Sequence, residues 1–310
     1  MEIIKLKPYL AKAIWGGKNL HLKYGKEGDP DIAESWELSG YPRKEGIAVG
    51  GKYDGKTITE ITEIEGKGIL GKRAEGYDKF PMLIKLIDAA QPLSIQVHPS
   101  DENAKELGAI GGKTEMWIIC DCEKDAFLYF GVKERLSTEK FKEAILDGTI
   151  TEYLNKVPVK PGDTFFISAG TIHAIGAGIT ICEIQQTSDT TYRLYDYKRK
   201  DKDGNERELH IEKGMIASNL DPINSFYVEG EIVGNELKLV SCPFFNVSRI
   251  EVAGATEITV DDESFAAFTV TEGVGEIGSV EVSKGDTVFV AAGTGEIYLD
   301  GVMTVVKSTM

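Results

Sequence analysis

The sequence predicts a mainly β chain built from two related β-barrel units with a few short helices. Three observations carry this: short strand-like segments separated by Gly, Pro and Asp turns, helical spacing confined to a few places, and a fifteen-residue pattern that occurs twice. At 310 residues the chain is long enough for about two domains. Its 42% hydrophobic and 27% charged residues exclude a disordered or collagen-like chain.

In chain order, strands are expected at Glu2–Leu6, Thr57–Ile64, Leu83–Asp88, Leu93–His98, Met116–Cys120, Asp163–Ser168, Ile179–Gln186 and Tyr192–Tyr197. A helix is expected after Ser100, which stands where a cap belongs, with Asp101 and Glu102 in the first turn. Ser137–Leu146 carries Phe141, Ala144 and Ile145 at helical spacing, and a third short helix should run from near His210 to about Ser218. From about Tyr227 onward there is only strand and turn. A boundary near Gly230–Gly234 divides the chain into 1–232, an N-terminal unit with short helical insertions, and 233–310, a C-terminal β unit.

The duplicated pattern is Val159–His173, VKPGDTFFISAGTIH, against Val282–Glu296, VSKGDTVFVAAGTGE, with eight of fifteen positions identical. A turn, a buried strand and a Gly turn thus occur twice. His173 in the first copy becomes Glu296 in the second, so the first unit is expected to be chemically active and the second structural.

Composition excludes several partners. A formal charge of −15 repels phosphate backbones, so nucleic acid is not an expected ligand, and an anionic substrate needs a local basic pocket. No run of about 18 apolar residues offers a membrane span. The segment MEIIKLKPYLAKAIWGGKNL lacks the apolar core and cleavage site of a secretory signal. Cys120, Cys122, Cys182 and Cys242 match neither a zinc-knuckle nor a C-x-x-C spacing, which points to reduced, mostly buried thiols and a cytoplasmic location.

The chemistry concentrates in three segments. In QPLSIQVHP, Leu93, Ile95 and Val97 face one way while Ser94, Gln96 and His98 face the other, a polar face that needs partners if it points into a barrel. Lys113 and Glu115 share a face of the next strand, and His173 follows the Gly170 turn. His98, Glu115 and His173 make a two-imidazole, one-carboxylate set that suits catalytic Zn²⁺, with Gln96 able to add an amide oxygen. Such donors also suit Fe²⁺ or Mn²⁺.

Gly162-x5-Ser168-Ala169-Gly170-x2-His173 resembles the second cupin motif, with Ser168 where Pro is usual, and Gln96-Val97-His98 resembles the first motif with its first His replaced. More narrowly, QPLSIQVHPSDENA, GGKTEMW, SAGTIHAIGAGITICEIQQTSDTTYRLYDYKR, AIWGG, AESWELSG and RELHIEK resemble the short bacterial form of the type I mannose-6-phosphate isomerases (phosphomannose isomerases). The resemblance spans essentially the whole chain. It implies two cupin-like β-barrel (jelly-roll) units, the first catalytic and the second degenerate. It also implies one Zn²⁺ per chain held by Gln96, His98, Glu115 and His173, and a phosphorylated sugar isomerised through a cis-enediol.

By the same resemblance Arg193 is the catalytic arginine, Lys113 lines the pocket, Ser94 lies near the phosphate, and a second basic site falls among Lys198, Arg199 and Lys200. For the proton carrier the residues leave Lys113, Glu183, Asp189 and a metal-bound hydroxide open, with Glu183 also placed to bind substrate. Two rivals remain: another metal-dependent cupin enzyme, such as an iron dioxygenase or a different sugar-phosphate isomerase, and a non-catalytic sugar-binding cupin. The oligomeric state is not legible.

Overall fold

The computed structural model describes residues 3–201 and 203–310, so Glu2 of the first expected strand lies outside the described residues. Its strands form three sheets, of ten, six and five strands. The six-stranded sheet is built around Met82–Ala89, which is buried at all eight positions because Ile179–Gln186 pairs with one edge and Glu34–Leu38 with the other. Period-two alternation splits its side chains between two cores. Ile84 and Leu86 pack with Ile58, Phe80 and Phe289, whereas Ile87 and Ala89 pack with Trp117 and Phe165.

The second of these cores also holds Leu128, Phe130 and Ile175 of the five-stranded sheet, so those two sheets face each other as a cupin-type barrel. Ile95, Val97 and Ala174 point to the other side of the five-stranded sheet. There the helix Thr138–Asp147 covers them with Phe141 and Ile145, and Ile211–Ala217 adds Ala217.

The ten-stranded sheet is organised by Gly295–Thr309, which pairs with Asn246–Ala253, Thr256–Val260 and Ala266–Ile277. Ile3–Lys7 pairs with Thr287–Val290, and Ile47–Val49 pairs outside it, so two N-terminal strands complete the C-terminal sheet. Ile4 and Leu6 share a core with Phe289 and Ala291, which is the apolar reason for the crossing.

Two expected elements differ. Thr57–Ile64 is no strand: Ile58–Glu65 is a helix. The Thr57 hydroxyl accepts from the Glu60 amide at 3.2 Å while Glu60 Oε2 accepts from the Thr57 amide at 2.8 Å, a reciprocal cap. Ile58 and Ile61 are buried three residues apart, a spacing that β-branched composition concealed. Tyr192–Tyr197 stops at Tyr195, because Tyr197 and Lys198 take φ of 57° and 53°. The helices after Ser100 and Ser137 form with those residues as caps. Among the thiols, all free, Cys182 is buried, whereas Cys120, Cys122 and Cys242 are half-buried. Among the described residues no helix is long and apolar enough to cross a membrane.

The repeated sequence folds twice in the same way. Asp163 Oδ2 accepts from the Lys160 amide at 2.9 Å, and Asp286 Oδ2 from the Ser283 amide at 2.8 Å. Gly162 and Gly285 take φ of 91° and 98°, and Gly170 and Gly293 take 88° and 73°, a region only glycine enters freely. The strands that follow the first turn start at the same Thr of the pattern, Thr164–Ile167 at the edge of its sheet and Thr287–Val290 between two partners.

The two units are also clipped by a buried ion pair. Lys26 Nζ lies 2.7 Å from Glu37 Oε1 and donates to the Gly285 carbonyl at 2.6 Å, and Ser35 donates to the same carboxylate oxygen. Removing one partner leaves the other as an uncompensated buried charge. Glu37→Ala should therefore lower unfolding free energy by about 3–5 kcal/mol in urea titrations; a loss under about 1 kcal/mol would show the clip to be dispensable.

Candidate metal centre

Three short strands of the five-stranded sheet set one row of side chains. Arg193 is the register partner of Gln96, and Gln96 is that of His173. Glu115 opens a strand of the facing six-stranded sheet, between Ile167 and Gln185. The barrel thereby brings His98, Glu115 and His173 together with ligand atoms all within 4.8 Å of one another. Each is at most 1% exposed.

Backbone carbonyls fix the two imidazoles. His98 Nδ1 donates to the Thr190 carbonyl and His173 Nδ1 to the Thr171 carbonyl, both at 2.8 Å. A carbonyl only accepts, so Nδ1 carries the proton and Nε2 is left unprotonated, its lone pair facing inward. Those lone pairs meet Glu115: His98 Nε2 is 3.3 Å from Oε1, and His173 Nε2 is 3.7 Å from Oε2. Lys113 bonds to Glu115 Oε1 and approaches His98 Nε2 at 3.4 Å. Glu115 Oε2 has no hydrogen-bond partner among the described residues.

Electrostatics keep this set ready for a cation. Burial, then Lys113, pushes the His98 pKa below its ordinary value, and burial, then His98, pushes that of His173 down to about 3. Burial raises the Glu115 pKa, but Lys113 and the imidazoles outweigh it and hold the carboxyl well below its usual range. Neutral imidazoles beside a carboxylate are the protonation states a metal requires. An orphaned carboxylate oxygen and two converging lone pairs, with no thiolate, fit a divalent metal ion. Gln96 is half-buried; its Nε2 lies 3.4 Å from His173 Nε2 and its Oε1 accepts from Ser94 at 3.4 Å, so ligation through oxygen requires the amide to turn over.

A cavity of about 270 Å³ adjoins these donors, with Gln96, Lys113, Ser94, Glu183 and Arg193 on its wall. Glu183 accepts from the Trp117 indole at 2.9 Å, lies 3.7 Å from Lys85, and keeps Oε2 without a hydrogen bond. Burial and the charge of Glu115 push its pKa up to about 7. Asp189 also lines the cavity, paired with Lys44 at 2.7 Å. Arg193 donates from Nη1 to the Glu208 carbonyl at 2.8 Å, and its buried Nε has no partner among the described residues.

Lys198 and Arg199, expected at the substrate, do not line this cavity. Lys198 is exposed, as is Lys200, because the positive φ at 197 and 198 turns the chain outward. The Arg199 guanidinium is committed to Asp196 and to the Pro92 carbonyl.

Lys85 and Arg207, which do line the cavity, carry no expectation from sequence. For Lys85 a signal existed: a lone cation inside the apolar run PMLIKLI, on the same strand face as Ile87. A larger cavity of about 650 Å³ lies in the C-terminal sheet between Lys238, Ser248, Asp261 and Lys307, and has no His or Cys on its wall.

The geometry has relatives. The family description "Phosphomannose isomerase type I, catalytic domain" matches residues 3–117, and "Mannose-6-phosphate isomerase, cupin domain" matches residues 235–310. The chain is 38% identical to mannose-6-phosphate isomerase ManA of Bacillus subtilis over 97% of its own length and 96% of that protein's. It is 36% identical to the mannose-6-phosphate isomerase of Streptococcus mutans over 83% of its own length and 81% of that protein's. A crystal structure of the mannose 6-phosphate isomerase from Bacillus subtilis superposes with a TM-score of 0.91 at 32% identity, covering 100% of both chains. The chain belongs to the type I phosphomannose isomerase family.

His173→Ala removes one converging donor and should abolish stoichiometric metal binding by elemental analysis. Glu296→Ala, at the exposed equivalent in the second repeat, should leave metal content unchanged. Full metal retention in His173→Ala would place the ion elsewhere.

Proposed function

We propose that this member of the type I phosphomannose isomerase family is a zinc-dependent aldose–ketose isomerase that interconverts mannose 6-phosphate and fructose 6-phosphate through a cis-enediol. The observation that carries the reading is the convergence of three buried, deprotonated donors beside a cavity that also holds Arg193. The relatives named mannose-6-phosphate isomerase, at 36–38% identity, support the substrate.

Gln96, His98, Glu115 and His173 would hold one ion per chain. Zinc bound there would supply Lewis-acid stabilisation of the negative charge that builds on the sugar oxygens as the C2–H bond breaks. The isomerisation needs no change of metal oxidation state, which favours a redox-inert ion over iron.

The chain's own groups do the rest. Arg193, one strand away from Gln96, offers a planar array of fixed donors to the substrate's anionic oxygens. Lys113 and Glu183 are the groups proposed to move the proton between C2 and C1. Glu183 suits that work because its Oε2 makes no hydrogen bond among the described residues and its pKa, pushed up to about 7, lets it both accept and release a proton near neutral pH. Glu183 and the Ser94 hydroxyl also bind the substrate. In this reading residues 1–232 are the catalytic unit, residues 233–310 a degenerate cupin-like unit, and the enzyme is cytoplasmic.

A coupled assay of mannose 6-phosphate to fructose 6-phosphate, run with and without a chelator alongside elemental analysis, tests the reading. Activity should vanish with the chelator and return with Zn²⁺; turnover by protein stripped of metal would overturn it. Arg193→Ala should keep the metal and lower kcat/KM by at least about 100-fold, the loss typical of an electrostatic donor in a buried site. Kinetics within about twofold of the parent enzyme would remove Arg193 from the reaction.

A further inference from the structure

At the Arg193 end of the cavity one carboxylate is surrounded by guanidinium groups. Asp196, 4% exposed, accepts from Arg207 through both oxygens: Nε to Oδ2 at 2.7 Å and Nη2 to Oδ1 at 2.6 Å. Oδ1 also accepts from Arg199 Nη2, and Arg199 Nη1 donates to the Pro92 carbonyl at 2.6 Å. Arg193 completes the group by its bond to the Glu208 carbonyl. Three guanidinium charges thus stand against the one buried carboxylate among them.

The remaining acids of the cavity each lie beside a lysine, three carboxylates to two lysines. Glu34 and Glu183 share Lys85, and Asp189 holds Lys44. The surplus positive charge therefore sits at the arginine end. Among the described residues, Arg193 Nη2 and Arg207 Nη1 make no hydrogen bond to protein, and Arg193 Nε is buried without one. Both arginines line the cavity and Arg199 does not. An anion with several acceptor oxygens would satisfy those donors, and a tetrahedral phosphate monoester has the geometry for two guanidinium forks.

We infer that Arg207, clasped by Asp196, supplies with Arg193 the donors for the phosphate of the substrate, in place of the Lys198–Lys200 run. Arg199 acts differently, sharing Asp196 Oδ1 with Arg207 and tying that loop to Pro92, two residues before Ser94. The assignment rests on the sugar-phosphate reading above.

The test uses metal-loaded enzyme, with metal content and melting temperature confirming that each variant folds. KM for mannose 6-phosphate and Ki for inorganic phosphate are measured for the parent, Arg207→Ala, Arg207→Lys and Arg199→Ala. Arg207→Ala should raise both constants by about 30-fold, the range expected for lost charge-assisted bonds, and raise KM far more than it lowers kcat. Arg207→Lys, which keeps the charge without the fork, should recover part of the loss and serves if the alanine variant does not fold. Arg199→Ala should fall at least about fivefold short of the Arg207→Ala effect.

A phosphate Ki within about twofold of the parent in Arg207→Ala, or an equal or larger effect of Arg199→Ala, overturns the assignment. Calorimetric titration with inorganic phosphate and with unphosphorylated mannose separates the phosphate site from the isomerase reading. Arg207-dependent phosphate binding by a parent enzyme without turnover would uphold the site and sink the reaction.

Discussion

Glu115 has no access to water, and two imidazole lone pairs point at it. Such an arrangement is repulsive unless a positive charge completes it. Lys113 satisfies one carboxylate oxygen and leaves the other bare. Much of the N-terminal barrel can be understood as the means of holding that unfavourable cluster in place. The carbonyls of Thr171 and Thr190 fix the imidazole tautomers, and those carbonyls lie in turns whose course is set by the Gly170 turn and by the Ser188 contacts.

Register gives the cluster its precision. Side chains alternate faces along a strand, so a slip of one residue in Ile95–Val97 would bury Ser94, Gln96 and His98 under the helices and turn Ile95 and Val97 into the cavity. The apolar residues guard against this. Ile95 and Val97 are fully buried in the core beneath the helices, and exposing both would cost on the order of 3–6 kcal/mol. The hydrophobic pattern therefore fixes where the polar donors point, and packing on one face of the sheet is linked to chemistry on the other.

The same alternation explains what could be read from sequence. QPLSIQVHP announces its two faces, and the duplicated Gly-Asp-Thr pattern announces two units, so the barrels and the His98, Glu115 and His173 set were legible. Thr57–Ile64 misleads because threonine and isoleucine favour strands, while the reciprocal cap between Thr57 and Glu60 and burial three residues apart win locally. The Lys198–Lys200 run is a different case. Proximity to Arg193 in sequence is lost when two residues of positive φ turn the chain away, and Arg207 lines the cavity paired with Asp196, a contact eleven residues apart that no local pattern signals. Nor does the end of the chain betray that its sheet needs Ile3–Lys7.

Net charge makes the basic corner of the cavity more than a matter of fit. At −15 the protein repels a phosphate dianion at long range, but at physiological ionic strength that field decays over about 8 Å. At the arginine end of the cavity the balance reverses, because Glu34 and Glu183 share Lys85, Asp189 holds Lys44, and the arginines face a single aspartate. Lysine partners offset most of the carboxylate charge along the cavity, leaving guanidinium forks as the unpaired cationic donors at the arginine end. An acidic chain can thus select an anionic substrate by holding its uncompensated positive charge behind low-dielectric walls, where each donor acts more strongly than it would on the exposed surface.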